Sequence, residues 1–262
     1  MAISNFVKTE QEMHAFYEQV RSAQFAGQAV AVEFETDPAF VAEMLPPCFQ
    51  PHTSATGRLI AGQFHNPEFC FFSTAQLQFR CVYDGREVWY SPAGLTDSEI
   101  VLLVRREAWG ESQKHGTVEL YAQPDYTTVL VKRGGAVLVN LRLTAAQERP
   151  DCCGSFDSVS IKGFLDKNGH GFEDGVDAVS ITTSFRKTAV RAAAAQLTLC
   201  STKLDRWGEI PVKKITDAEV FSVSGKHTAT AVTPLENADA YMPYQLGTKF
   251  DPMFVYSIFS TT

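Results

Sequence analysis

The chain has 262 residues, 45% hydrophobic and 20% charged, with 23 Lys and Arg against 30 Asp and Glu and a formal net charge of -7. A chain of this length hides roughly 70–75% of the surface its unfolded form exposes, so it can build a full core without disulfide or metal staples; disordered and collagen-like classes are excluded. Positive charge never runs beyond two residues, and phosphate neutralisation needs clustered positive charge, so no nucleic-acid partner is expected.

The N-terminal stretch MAISNFVKTEQEMHAF lacks the basic-then-apolar order of a secretory signal, and no apolar run approaches eighteen residues. The expectation is a soluble, cytoplasmic protein with no membrane partner. Apolar positions at Met13, Phe16, Val20 and Ala23 predict an amphipathic helix over 8–24. A short second helix is predicted next, capped by Thr36 or Asp37, with Pro38 at its start, Phe40, Val41 and Met44 on its apolar face, and Pro46-Pro47 as its stop.

Between about 58 and 232 the pattern is mostly strand. Runs rich in Val, Ile, Phe and Tyr cover 69–72, 77–83, 100–104, 129–131, 137–143, 159–164, 179–183 and 220–223. Asp84-Gly85, Gly134-Gly135 and Asn168-Gly169 punctuate them as hairpin turns do. The Ala-rich stretch Arg191 to Cys200 reads as the one helix in this region. With no internal repeat and no linker composition, the expectation is a single antiparallel, β-rich α+β domain over 1–262.

One stretch stands out chemically: the charged, Gly-flanked loop Arg105-Arg106-Glu107-Ala108-Trp109-Gly110-Glu111-Ser112-Gln113-Lys114-His115 after an apolar run. Loops of that kind hold catalytic groups on a rigid scaffold, although a solvated hairpin loop fits the spacing as well. Together with Leu95-Thr96-Asp97-Ser98-Glu99 before it, this segment resembles the lead into the active site of the acetoacetate decarboxylase family, where Arg-Glu, four residues, then Pro-Lys-Lys is characteristic. Phe34-Glu35-Thr36-Asp37 with Leu45-Pro46-Pro47, and Pro211-Val212-Lys213-Lys214-Ile215, are similar to an early and a late segment of the same family, so the ordered matches span about 30 to 225.

The resemblance implies a β-rich, cone-like or double β-barrel with a central cavity, usually assembled as a homo-oligomer. It also implies Schiff-base chemistry on a β-keto acid by the first lysine of the Lys-Lys pair, in a family that is itself a standard example of a lysine activated by desolvation or a neighbouring cation. An amine must be neutral to attack a ketone, and an ordinary lysine is almost wholly protonated at neutral pH.

Carried across residue by residue, the motif departs from the family at its centre. Ser112 falls at the proline position, Gln113 at the Schiff-base lysine and Lys114 at its helper. Glutamine cannot form an iminium. The family's active-site glutamate falls at Thr74, and its early arginine falls near Gly27. Two readings stay open: a shift by one residue that makes Lys114 the nucleophile, or a cofactor-free lyase-type reaction in which Gln113 hydrogen-bonds a substrate carbonyl and Lys114, Glu111 or His115 works as acid or base.

The expected catalytic residues are therefore Lys114, Gln113 and Glu111, with Thr74, His65 and Arg106 as substrate-binding candidates. Glu68 joins His65 as a weaker pair. The expected substrate is a keto acid or polyketide-like small molecule, to be decarboxylated, dehydrated or cyclised; a non-catalytic small-molecule binder on the same fold is the alternative. Cofactor and metal are expected to be absent. Asp166, Asn168, Gly171, Asp174 and Asp177 follow calcium-loop spacing, but His170 and a short final Asp argue for a plain β-turn. The vicinal pair Cys152-Cys153 reads as a loop feature rather than a redox centre.

Overall fold

A computed structural model describes residues 7–66, 70–168 and 170–251. Helix α1 (Glu10–Arg21) carries a complete capping box: Thr9 accepts from the Glu12 amide while the Glu12 carboxylate accepts from the Thr9 amide. Helix α2 (Pro38–Met44) starts at Asp37, whose carboxylate accepts from the Ala39 amide, and has Pro38 in its first turn. Both helices fall where the sequence predicts them.

The remaining core is one large sheet. Its strands are β1 (Ser22–Glu35), β2 (Gln50–Pro51), β3 (Thr56–Asn66), β4 (Cys70–Tyr83), β5 (Arg86–Thr96), β6 (Lys114–His115), β7 (Thr117–Ala122), β8 (Tyr126–Arg133), β9 (Ala136–Glu148), β10 (Cys152–Lys162), β11 (Val176–Leu199) and β12 (Lys214–Leu235). Strands β5, β4, β3, β1, β12, β11 and β10 close on themselves, because β10 pairs both with β11 and, at Ser158 and Trp89, with β5. Asp84-Gly85 turns β4 into β5, and Gly134-Gly135 turns β8 into β9, all four with positive φ, as tight hairpins of matching twist require. The expected turn at Asn168-Gly169, Glu68 and Phe69 involve residues outside the described ones.

Side-chain alternation gives each ring strand two faces with different destinations. Val30, Val32 and Phe34 of β1, Leu59 and Ala61 of β3, and Ala75, Leu77 and Phe79 of β4 point out of the ring. There they join Val129, Val131, Leu141 and Leu143 of the smaller β7–β8–β9 layer in one buried core. The intervening residues, Ala29, Ala31 and Glu33, Arg58, Ile60 and Phe64, and Phe72, Thr74 and Gln76, point inward and line a cavity.

Two predicted elements change identity. Of the stretch Arg191 to Cys200, read as helix, all but Cys200 is strand, the last nine residues of the 24-residue β11. At Ala189, φ +50, the strand bulges; Arg191 and Ala192 pair with both β12 and β9, and the residues from Ala193 on pair with β9 alone, so cross-strand pairing overrides the helix propensity of alanine. The apolar run at 100–104 is not a strand: Ser98 caps helix α3 (Glu99–Leu103), which continues into a π-helical turn over Val104–Ala108.

Candidate active site

The ring encloses about 330 Å³, the size of a pocket for a small or medium organic ligand. Strand register divides its wall into rows. The middle row runs from Gln76 through Ile60 and Ala31 to Glu219; on one side of it lies Thr74–Gly62–Ala29–Phe221, and on the other Gln78–Arg58–Glu33–Asp217. Consecutive rows lie about 7 Å apart, two residues along each strand. Phe25, Phe64, Phe72, Phe185 and Phe221 make much of the wall apolar.

A buried cation enters at the middle row. The π-helical turn inserts one extra residue per turn and rotates Arg105 inward, where its guanidinium lines the cavity. Its Nη1 donates to Glu111 Oε2 at 3.2 Å, and the same oxygen accepts from Gln76 Nε2 at 2.7 Å and Gln113 Nε2 at 3.5 Å. Gly110, φ +73, makes the chain reversal between Arg105 and Glu111 possible; a Cβ there would stand 2.6 Å from the Lys162 Cα. Gln113 is fully buried over Gly94, and its Oε1 has no hydrogen-bond partner.

Near Arg105 stands His227 of β12. Its Nδ1 lies 2.9 Å from Thr183 Oγ1, and its ring stacks on Phe25 at 4.5 Å. Burial, reinforced by the nearby Arg105 charge, lowers its pKa to about 3, so the imidazole is neutral at physiological pH. The unfolded chain takes this proton near pH 6.5 and the folded chain only near 3. The stability His227 contributes is therefore present above pH 6.5 and lost as pH falls through that window. We expect His227→Phe to flatten the wild-type decline between pH 7 and 5 by about 1–2 kcal/mol in urea unfolding; an unchanged slope would show that the buried site does not exclude the proton.

At the far end, Arg58 is sandwiched between Trp89 and Phe156, 3.9 and 4.4 Å from the ring centres. Its Nε and Nη2 both donate to Gln78 Oε1, at 3.0 and 2.6 Å. Burial is the main cause that lowers its pKa to about 9. Arg80, Glu33 and Asp217 complete a charged floor.

The predicted site residues do not all gather here. Thr74 lines the cavity, its hydroxyl donating to Leu95 O at 2.9 Å, and Glu111 and Gln113 stand directly behind Arg105. Lys114, His65 and Arg106 face elsewhere, and their placement as cavity residues is corrected. Lys114 alternates away from Gln113 along β6; its Nζ lies 3.1 Å from both Asp205 and Asp251 and 3.2 Å from Leu204 O, beside a separate small pocket. His65 is on the outer face of β3, opposite Phe64, against the Phe71 ring. Arg106, next to Arg105 on the turn, points to the Phe250 ring; His115 is exposed. His227, Gln76 and the Arg58 floor escaped the sequence reading, in which Arg105 appears only as part of the positively charged loop. The alternation of Glu33, Arg58 and Gln76 with apolar neighbours was the available signal for a second, polar face.

Lys114, Asp205, Asp251 and Arg133 form a closed ion network that ties β6, β8 and the loop before Trp207 to the C-terminal segment. Because Arg133 still pairs with both carboxylates, Lys114→Met is expected to cost about 1–3 kcal/mol of stability while leaving ligand binding in the ring intact. Calorimetric titration together with thermal melting separates the two; lost binding at unchanged stability would return Lys114 to the site.

Among the described residues, no group of three or more His, Cys, Asp and Glu side chains is placed to hold a metal ion, and no helix is long and apolar enough to cross a membrane. In the 166–177 loop, the Asp166 carboxylate accepts from the Asn168 and His170 amides, as in a local turn.

A search of curated protein sequences found no match. Solved structures do match. Acetoacetate decarboxylase from Legionella pneumophila superposes with a TM-score of 0.73 at 13% identity, over 89% of this chain and 92% of that one. The enduracididine biosynthesis enzyme MppR, complexed with the condensation product of pyruvate and imidazole 4-carboxaldehyde, gives 0.67 at 15%, over 81% and 89%. An acetoacetate decarboxylase-like enzyme from Sphingomonas wittichii RW1 gives 0.68 at 14%, over 90% and 99%. At such identities the likeness concerns the fold. The family model for acetoacetate decarboxylase matches residues 8–236, the helix α1 and all twelve strands that build the ring and its outer layer, and the chain belongs to that family.

Proposed function

We propose that this chain is a lyase-type enzyme acting on a small or medium keto acid, or a polyketide-like relative, with no Schiff base at the residue that fills the family's lysine position. The observation that carries the reading is Arg105: a buried guanidinium on the cavity wall, fixed by Glu111, which in turn is fixed by Gln76 and Gln113. In a largely apolar enclosure such a cation favours a carboxylate or a developing enolate far more than it would in water. Decarboxylation, dehydration and cyclisation of keto acids share an enolate or enol, so one electrophile serves each of them.

Roles follow from position. Arg105 holds the anion; Thr74 and neutral His227 offer polar contacts from adjoining walls; Glu111 and Gln113 act through Arg105 as positioning residues. No cofactor is invoked. MppR complexed with pyruvate supports a 2-keto acid as the first probe. The exposed apolar side chains Met13, Phe16 and Tyr17 on α1, a helix with no buried residue, support a homo-oligomer, which light scattering tests directly.

The test is a keto-acid panel followed by NMR, with wild type and Arg105→Gln side by side. Product formation that the variant loses supports the reading. Tight binding without turnover across the panel makes the chain a binder, which the glutamine at the lysine position would favour; neither binding nor turnover overturns the reading.

A further inference from the structure

Among the described lysines, Lys187 is the one that lines the ring cavity. On β11 it shares the inward face with Thr183 and Phe185. Its ammonium contacts the Glu219 carboxylate and lies 4.3 Å from the Phe221 ring centre and 5.3 Å from that of Phe185. Arg149, itself bound to Asp217 at 2.7 Å, stands 3.9 Å from the other Glu219 oxygen and orients that carboxylate. Row register then places the pair: Glu219 belongs to the middle row, whose other end is Gln76. Gln76 is hydrogen-bonded to Glu111, and Glu111 to Arg105. An amine with a proton acceptor thus lines the same cavity as an anion-binding guanidinium.

We propose that Lys187 is the nucleophilic amine of this chain and forms an iminium with the carbonyl of a keto acid whose carboxylate rests on Arg105, with Glu219 carrying the proton. This inference rests on the keto-acid reading above. Glu219 takes a proton from the Lys187 ammonium, and the neutral amine adds to the carbonyl carbon. The proton left on nitrogen passes to the oxygen, giving a neutral carbinolamine. Glu219 then protonates the hydroxyl, which leaves as water while the nitrogen lone pair closes the C=N bond. Ammonium and carbonyl become iminium and water, and the carboxylate returns to its starting state. The iminium accepts the electron pair of whichever adjacent bond breaks. Glu33, Asp217 and Arg58, one row further on, keep the floor polar.

The experiment is reduction of the full-length chain with sodium borohydride in the presence of pyruvate or acetoacetate, followed by intact mass and peptide mapping. One reduced adduct on the peptide containing Lys187 is expected, absent in Lys187→Arg, which keeps the charge beside Glu219. Glu219→Gln is expected to slow trapping by roughly tenfold or more, the lower range for a general acid–base group, with the melting temperature recorded to show that it folds. An adduct on another lysine, an adduct undiminished in Lys187→Arg, or Arg105-dependent turnover with no adduct overturns the inference and leaves the keto-acid reading standing. A wild-type chain that neither binds nor converts these acids overturns both.

Discussion

Replacing Arg105 by methionine is expected to abolish the chemistry and to loosen the fold together. Arg105 is 6% exposed, and its partner Glu111 is 9% exposed. Removing one member of a buried pair leaves the other charge without compensation, which typically costs about 3–5 kcal/mol. Gln76 and Gln113 still donate to Glu111 and lower that figure toward its smaller end. On the substrate side, losing a preorganised donor to a developing oxyanion typically costs about 10²–10³ in kcat. The double variant Arg105→Met with Glu111→Gln separates the effects: removing the stranded charge restores part of the stability, measured in urea, but none of the kcat/KM. Recovery of activity in the double variant would show that Arg105 serves the fold alone.

A methyl group at Gly94 is the second change with a large expected effect. A Cβ there would lie 2.4 Å from Gln113 Nε2, 2.8 Å from its Cδ and 3.0 Å from Oε1, so it meets the whole amide. Gln113 is fully buried. Overpacking of this kind costs about 1–3 kcal/mol, and the displaced amide no longer supports Glu111. Gly94→Ala should lower the melting temperature by several degrees, at about 2–4 °C per kcal/mol for a chain of this size, and weaken keto-acid binding. Combining it with Gln113→Ala makes room for the methyl group, so the pair should be less harmful than the sum by about 1 kcal/mol or more. Strict additivity would mean that Gly94 and Gln113 do not share that space.

Much of the architecture is legible locally. Helix starts at Thr9 and Asp37 carry their caps in sequence, and Asp84-Gly85 and Gly134-Gly135 mark hairpins that form as expected. What local pattern cannot show is which residues meet across the ring. Glu219 shares a row with Gln76 only because β12, β1, β3 and β4 pair in one register. Arg105 and Arg106 look equivalent in the chain, and a π-helical turn, a feature with no strong sequence signal, decides which one enters the cavity. Lys114 carries the family's lysine-pair position, yet the two-residue strand β6 sends it toward Asp205 and Asp251. Ala193 and Ala195 read as helix formers, but as small residues they pack against the core from β11. In each case a non-local contact outweighed a local preference.

The account stands on the location of the substrate's carboxylate. A crystal structure of the chain with pyruvate bound tests this most directly. The account predicts the carboxylate inside the ring, within hydrogen-bond distance of the Arg105 guanidinium and with its keto carbon turned toward Lys187. A carboxylate seated instead beside Lys114, in the small pocket between Pro92 and Trp207, would contradict it.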